Sequence, residues 1–302
     1  MAGVFHAYLS VMEFAVIAPV STGRTVDAEW ISAYAQHVEA CGFSSIVVVE
    51  HTVLMADYAS TYPYDASGRV GLPADCDVPD PLDLLAFLAA RTTTLGLATG
   101  VLVLPNHHPV PLAKRVATLD RLSGGRVRLC VGMGWLAEEV EACGVDFATR
   151  GRRADEQLTV LRTLWEGPAE GVDHDGEFFS FRSAVCRPRP TRRIPVHVGG
   201  HSMAAARRAG RFGDGLQPLG VAGEQLAALV QEMHGAATDA GRDPATLELT
   251  LGHLVGRITA EKAASLERLG AHRVVLDPTP TQDLQQACDE LSACAERLSL
   301  AG

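Results

Sequence analysis

No apolar stretch in this sequence reaches the roughly 18 residues that a helix needs to cross a bilayer. The N-terminus has neither a positively charged region nor a clear cleavage site, so we expect no signal peptide. The seven cysteines are scattered and form no Cys-x-x-Cys pair, which favours free thiols in a reducing compartment. The sequence therefore predicts a cytoplasmic protein without a membrane partner.

Long clusters of basic residues are also missing, and the formal net charge is −10. This charge argues against a nucleic acid or an acidic membrane as a partner. With 47% apolar and 21% charged residues, the composition is that of a soluble globular protein with a large core.

Several familiar active-site motifs are absent. The sequence has no Walker-type phosphate loop and no Gly-x-Ser-x-Gly nucleophile turn. A fragment at 132–134 starts like a dinucleotide-binding motif but lacks its third glycine. The adjacent His107 and His108 should diverge on an extended chain, and no carboxylate lies at a ligand spacing, so we expect no metal site.

Short apolar segments alternate with helical patterns along the whole chain. Segments such as 45–49 are apolar without alternation, as in parallel strands covered on both faces. Because no low-complexity linker divides the pattern, it predicts a single α/β domain over residues 12–302, a (β/α)₈ TIM barrel with insertion segments at its C-terminal rim. An open doubly wound sheet is the alternative. The predicted strands are 13–19, 45–49, 95–104, 126–131, 194–198, 214–218, 247–255 and 273–276.

Residues 1–11 precede the first predicted strand and read as an N-terminal extension. Met12 stands directly before that strand, so translation starting there is an alternative to translation starting at Met1.

Local signals also predict several boundaries. Asp27 should cap a helix, and Asp80 should cap another whose first residue is Pro81. A helix is expected over 109–122, and a helix after Ser202 should end at Gly210. A small hairpin is expected over 172–181.

The carboxyl ends of the predicted strands carry glycines, two histidines, a carboxylate and an aromatic residue. In a barrel these ends face the active site. This composition suits a large planar cofactor that carries a phosphate, with the glycines giving the backbone access to the ring. The residues are Glu50, His51, Thr99, Gly100, Gly132, Met133, Gly134, Trp135, Gly199, Gly200, His201 and Ser202.

The segment 199–202 is a candidate phosphate site. It follows a buried strand and precedes a helix, and paired glycines let the backbone approach a ligand. Free N–H groups in the first helical turn favour an anion there. The alternative is that the paired glycines only make a tight turn between strand and helix.

His51 is the candidate proton-handling residue, because an imidazole exchanges protons near neutral pH without tuning. The alternative is a rim histidine that hydrogen-bonds Glu50 and has no chemical role. Glu50 is expected either to orient His51 or to cap a helix.

A long irregular segment over 52–79 follows the second strand on the rim side. At this length, and with Tyr58, Tyr62 and Tyr64, it is predicted to be a substrate lid. The alternative is a packed surface loop without a role.

Several runs together resemble the luciferase-like flavin-dependent oxidoreductases, and most closely the actinobacterial branch that depends on the deazaflavin coenzyme F-420. The resemblance covers about residues 12–220 and fades beyond them. The runs are 40–51, 62–65, 99–105, 119–127, 132–135, 150–156, 176–179 and 198–201.

This resemblance implies a barrel with the flavin at its C-terminal rim. It implies a bulge at Gly100–Val101, often with a non-prolyl cis bond, that presses on one face of the ring. It also places the phosphate at residues 199–202, with Val198 beside them, and His51 near the reactive edge. Some deazaflavin members carry an acidic residue at the position of Trp135 and Asp at that of Glu50, so their proton-donor arrangement does not carry over directly.

The resemblance leads to two catalytic hypotheses. In the first, hydride moves between coenzyme F-420 and a carbon or imine of a small-molecule substrate, with His51 or Glu50 handling the proton. In the second, reduced flavin mononucleotide (FMN) reacts with oxygen and the enzyme is a monooxygenase. A non-catalytic flavin-binding barrel and a metal-dependent barrel hydrolase are the alternatives from other classes. We expect a homodimer.

Overall fold

The computed structural model describes residues 12–73 and 75–300. The predicted N-terminal extension, 1–11, and the question of a start at Met1 or Met12 lie outside the described residues. Within the described part of the chain, no helix is both long and apolar enough to cross a membrane.

The main sheet closes into a barrel of parallel strands. β3 pairs with both β2 and β5, which joins the two ends of the strand order and excludes the open doubly wound alternative. The predicted third strand is interrupted after Thr99, as expected, and continues as β4. The strands are β1 (Glu13–Ile17), β2 (Ser45–Val48), β3 (Gly96–Thr99), β4 (Leu102–Val103), β5 (Val127–Gly132), β6 (Val172–Asp175), β7 (Ser180–Ala184), β8 (Val196–Gly199), β9 (Gly215–Gln217), β10 (Glu248–Leu254) and β11 (Ala271–Asp277).

Helices surround the barrel, and β6 and β7 form a separate antiparallel hairpin, as predicted. The core lies mainly between the strands and the helices. The helices are α1 (Ala28–Ala40), α2 (Pro81–Ala89), α3 (Pro109–Leu122), α4 (Ala137–Ala142), α5 (Arg150–Glu166), α6 (Met203–Phe212), α7 (Gly223–Asp239), α8 (Ala260–Arg268) and α9 (Leu284–Leu298).

Side-chain caps fix the helix starts that the sequence predicts. The carboxylate of Asp27 accepts from the first-turn N–H groups of α1, and that of Asp80 does the same for α2, where Pro81 is the first residue. The predicted end of α6 is wrong, because the helix continues past Gly210 to Phe212. Gly210 is a packing residue: a Cβ there would come within 2.2 Å of the carbonyl oxygen of Met233 on α7.

The barrel interior has three layers along the strands. At the N-terminal ends lies a charged floor, described below. Above it lies a small apolar layer around Ala15, Val47, Ala98 and Val275. The upper layer, at the carboxyl ends, is rich in glycine, and we call it the mouth. Its inward positions include Gly100, Gly132, Gly199 and Gln217, which follow the alternation of the strands below them.

The floor is a network of ion pairs from five strands, with one residue from each: Glu13, Arg128, His197, Glu248 and Arg273. Glu248 Oε2 lies 2.9 Å from an Arg128 nitrogen, 3.1 Å from one of Arg273 and 3.2 Å from His197 Nε2. Burial opposes the ionisation of Glu248, but the hydrogen bond with His197 and the charge of Arg128 outweigh it and lower its pKa. Burial lowers the pKa of His197, which favours the neutral imidazole. This network closes the end of the barrel away from the mouth.

Candidate active site at the barrel mouth

The side chain of Val101 organises the glycines of the mouth. The Gly100–Val101 peptide is cis, as the resemblance implied. An ideal Cβ on Gly132 would lie 2.5 Å from Val101 Cγ2, and one on Gly199 would lie 2.4 Å from Val101 Cγ1. The strand-end glycines Gly132 and Gly199 therefore make room for Val101. The expectation that they only open the backbone to a ligand missed this packing reason.

Thr99 and Val198 were also predicted to contact the cofactor, but both side chains are buried inside the protein. The hydroxyl of Thr99 donates to the carbonyl of Cys130 at 2.7 Å and accepts from its N–H at 2.9 Å, which joins β3 to β5 inside the protein. Val198 is fully buried in the core between strands and helices. Cofactor contact by the side chains of these two residues is therefore not supported by their positions.

Gly200, the second residue of the predicted phosphate site, has a backbone conformation that favours glycine. Its φ is +120°, and its N–H donates to the carbonyl of Gln217 at 3.1 Å. Ser202 then caps α6 by accepting from the N–H of Ala205 at 3.1 Å. The N–H groups of Met203 and Ala204, both exposed, have no partner among the described residues.

His201 lies beside this helix start with an unsatisfied nitrogen. Its Nδ1 is buried and has no hydrogen-bond partner within the described chain. Its ring packs edge-to-face on Tyr64, with centroids 5.0 Å apart. An unpaired ring nitrogen that can carry a proton, next to free helical N–H groups, suits a phosphate group, so these residues fit the implied cofactor.

Aromatic contacts connect the long segment to the mouth. Trp135 packs edge-to-face against Tyr62 at 5.0 Å, against Tyr58 at 5.5 Å and against His51 at 6.1 Å between ring centroids. Tyr62 in turn packs on Tyr64 at 5.3 Å. The structure thus brings together residues that the sequence predicted separately at the second, fourth and fifth strand ends and in the lid.

Two adjacent glutamates at the start of α4 anchor this segment. Glu138 accepts from the N–H of Ala59 at 2.7 Å and from the hydroxyl of Ser60 at 2.7 Å. The hydrogen bonds from Ser60 and from backbone N–H groups lower the pKa of Glu138 to about 2. The segment is therefore held over the mouth by a carboxylate that stays ionised at physiological pH.

His51 is held by the second of these glutamates. His51 Nδ1 lies 3.0 Å from Glu139 Oε2, and the two side chains are only 9% and 2% exposed. Because a carboxylate can only accept, Nδ1 carries a proton, and in the neutral imidazole Nε2 is therefore an acceptor. The other oxygen of Glu139 accepts from the N–H of Thr52.

Glu50 neither orients His51 nor caps a helix, so both expectations were wrong. Its carboxylate accepts from the N–H of Val103 and lies 2.7 Å from His107 Nε2. Side chains of adjacent extended residues point to opposite sides of the chain, which separates Glu50 from His51. Glu50 therefore ties β2 to the segment after β4 rather than facing the mouth.

Sequence reasoning missed Glu139 and Asp277, which lies beyond position 220 at the end of β11. Glu139 lies four positions beyond Trp135, in a helix of six residues that the periodicity did not reveal. Alternation along β11 could have indicated Asp277, its last residue. Among the described residues, no three His, Cys, Asp or Glu side chains form a group able to hold a metal ion.

Similar proteins are found by sequence. A protein of Mycobacterium tuberculosis without an assigned activity is 35% identical over 208 residues, which are 69% of this chain and 71% of the relative. The F-420-dependent glucose-6-phosphate dehydrogenase of Microbacterium testaceum is 31% identical over 181 residues, 59% of this chain and 48% of the relative. The 4-hydroxyprotoasukamycin monooxygenase of Streptomyces nodosus subsp. asukaensis is 34% identical over 174 residues, 55% of this chain and 47% of the relative.

Solved structures have the same fold. An F-420-dependent secondary alcohol dehydrogenase in complex with an F-420–acetone adduct matches with a TM-score of 0.76 and 18% identity, over 96% of this chain and 99% of that one. A monooxygenase from Streptomyces bottropensis matches with a TM-score of 0.74 and 21% identity, over 95% of this chain and 99% of that one. The sequence model of the luciferase-like monooxygenases matches residues 12–287, and the chain therefore belongs to the luciferase-like monooxygenase family.

Proposed function

We propose that this protein is an oxidoreductase that binds the reduced deazaflavin coenzyme F-420 at the barrel mouth and reduces a small organic substrate there. The observation that carries the proposal is the continuous surface from His51 through Trp135 and the tyrosines to His201, which ends at the free N–H groups of α6. It offers one face for a planar ring and one end for a phosphate. The bound coenzyme would supply the hydride.

The residues of this chain would bind the cofactor and orient its ring. The helix start at Met203 and Ala204, with His201, would hold the phosphate. Val101, which projects over Gly132 and Gly199, would support one face of the ring.

His51 would handle a proton at the reactive edge. Glu139 fixes its tautomer, so that Nε2 can accept a proton in the site. Glu50, which the sequence offered as the other candidate, is engaged with Val103 and His107.

FMN remains the second candidate cofactor, with oxygen as the second substrate. The 34% identity to a named monooxygenase favours this alternative, whereas the 31% identity to a named F-420-dependent dehydrogenase favours the first. The phosphate contacts proposed above suit both cofactors.

Titration with each cofactor distinguishes the two. Trp135 lies at the proposed site, so we expect coenzyme F-420 to quench tryptophan fluorescence with saturation, and FMN to bind more weakly. A Trp135→Phe variant should lose most of this signal and serves as the control for Trp30 and Trp165. Tighter binding of FMN, together with oxygen uptake, would support the monooxygenase. Binding of neither cofactor would refute both.

The segment 52–79 is proposed to be the substrate lid, because its tyrosines cover Trp135 and its backbone is anchored by Glu138. Limited proteolysis should cut this segment more slowly once the cofactor and a substrate are bound. Equal rates of cleavage with and without both ligands would show that it is only a packed loop.

A further inference from the structure

Asp277 occupies the mouth position of β11. In this strand Arg273 belongs to the charged floor and Val275 to the small apolar layer above it. Since side chains two residues apart in a strand share a face, Asp277 lies on the interior side, one layer higher. It pairs in register with Leu254 of β10, the last residue of that strand.

The carboxyl group of Asp277 has no hydrogen bond and no ion pair with another described residue. The inward positions on the opposite wall, Gly100, Gly132 and Gly199, have no side chains to meet it. The ring of Tyr62 lies near enough for Asp277 to raise the pKa of its hydroxyl, after burial and Asp65. A solvent-exposed, unpaired carboxyl at the rim therefore lies within electrostatic reach of Tyr62 in the proposed lid.

The groups around Asp277 disfavour its charge. Glu290 of α9 holds the following turn by accepting from the N–H and hydroxyl of Thr279, at 3.0 and 2.7 Å. Burial and the negative charge of Glu290 raise the pKa of Asp277. Tyr62 and Tyr34 of α1 also lie within electrostatic reach of Asp277, and both are neutral phenols at physiological pH.

His51 and Asp277 thus have opposite surroundings. His51 is backed by a carboxylate, Glu139, which suits the acceptance of a proton. Asp277 lies near another acid, Glu290, and forms no ion pair with a described cation, which suits the donation of a proton. β11 and β2, the strand that precedes His51, flank β1, so these two strands lie about 10 Å apart by ordinary strand spacing.

We propose that Asp277 contacts the substrate and is the acid that protonates it. This inference rests on the proposed function, in which hydride is added to the carbon of a carbonyl or imine group. As hydride arrives, the carbon–heteroatom π bond breaks, and its electron pair forms an O–H or N–H bond with the proton of Asp277. Water then reprotonates the carboxylate through the open mouth. Small ketones, aldehydes and imines are therefore the substrate class.

The first test needs no cofactor and measures the carboxyl group itself. In protein labelled with ¹³C at aspartate carboxyls, the resonance that Asp277→Asn removes should titrate above the ordinary aspartate range. Glu290→Gln, whose amide oxygen can still accept from the N–H of Thr279, should move this midpoint down. A midpoint at or below the ordinary value would overturn the proposal.

The second test is binding of a carbonyl probe, benzamide, followed by tryptophan fluorescence. Benzamide should bind roughly threefold to tenfold more tightly below the Asp277 midpoint than above it, because only the protonated acid donates to the carbonyl. Asp277→Asn, which donates at every pH, should show no such dependence. Asp239→Asn, a matched change at the far end of α7, should behave as the parent does. Tighter binding of benzylamine than of benzamide, lost in Asp277→Asn, would identify a cation-selecting carboxylate instead and overturn the proposal.

The third test uses the enzyme loaded with the cofactor that it binds. Asp277→Asn should lower kcat by about 100-fold and leave cofactor affinity unchanged, and Asp277→Glu should restore part of the rate. Unchanged kcat in Asp277→Asn would refute the role of Asp277 but would not refute the proposed function. Failure to bind any flavin would refute the proposed function, while the titration midpoint and benzamide binding would still report on the acid.

Discussion

Val101 Cγ1 occupies the place where a side chain at Gly199 would begin, since an ideal Cβ on Gly199 would lie only 2.4 Å away. Gly199→Ala should therefore destabilise the fold by about 1–3 kcal/mol, the usual cost of overpacking. Denaturant unfolding measures this change.

The compensating variant is Val101→Ala with Gly199→Ala, because it removes the methyl groups that clash. The double variant should be more stable than the sum of the two single changes predicts. Simple additivity would mean that Val101 and Gly199 do not compete for this space.

Gly200→Val should weaken cofactor binding by ~2–4 kcal/mol, or roughly 30- to 1000-fold. The reason is conformational: φ is +120°, whereas a Cβ would meet only Ala205 Cβ at an ordinary 3.4 Å. Fluorescence titration measures binding, and circular dichroism should show an intact barrel. His201→Ala should lose less, because the helical N–H groups remain.

Gly241→Val is the matched control for this change. Gly241 also has a positive φ, +70°, but follows α7 at the opposite end of the barrel. It should cost stability without affecting the affinity for cofactor. If Gly200→Val binds cofactor as the parent does, the phosphate lies elsewhere and the paired glycines are only a turn.

Glu139→Gln should reduce turnover by tenfold or more, on the order expected when a proton-handling group loses its partner. A glutamine can still accept from Thr52 but no longer offers His51 Nδ1 a negative charge. The fraction of His51 with its proton on Nδ1, read from ¹⁵N chemical shifts, should fall. Glu138→Gln, one residue away, is the control and should leave this tautomer fraction as it is.

Glu248→Ala should cost about 2–4 kcal/mol at neutral pH, because it leaves the guanidinium groups of Arg128 and Arg273 short of a counter-charge inside the barrel. The pH dependence has a definite sign. Since the folded-state pKa of Glu248 is lowered, its stabilisation is complete above the unfolded value, about 4.3, and is lost as pH falls toward the folded value.

Chemical denaturation between pH 7 and pH 3 checks this expectation. The parent should lose stability over this range more steeply than Glu248→Gln. Glu177→Gln, whose partner Arg152 is also exposed, should change stability by less than about 0.5 kcal/mol. Equal acid sensitivity of the parent and Glu248→Gln would show that the floor network does not set it.

The sequence was sufficient to predict those features of the fold that depend on residues adjacent in the chain. Asp80 and Pro81 mark a helix start through local hydrogen bonding and a fixed φ, so the start of α2 could be read directly. The break after Thr99 was visible because glycine interrupts an apolar run. The barrel itself followed from the alternation of such segments.

Contacts between distant residues could not be read in this way. Glu50 meets Val103 and His107, 53 and 57 positions along the chain, and His51 meets Glu139, 88 positions along. These partners are chosen by which strand ends become neighbours when the barrel closes. For the same reason, the ion pairs of the floor could not be predicted from the sequence alone.

The single carboxylate of Glu139 holds both His51, through Oε2, and the first residue of the long segment, Thr52, through Oε1. A shift of about one ångström in this carboxylate would weaken both hydrogen bonds at once, because their strength falls steeply with distance and angle. If a molecule enters beneath the tyrosines and displaces Thr52, the shared carboxylate of Glu139 would couple this entry to the protonation state of the His51 imidazole. By reciprocity, the free energy by which ligand entry would shift the proton equilibrium of His51 equals the free energy by which protonation of His51 would shift ligand entry.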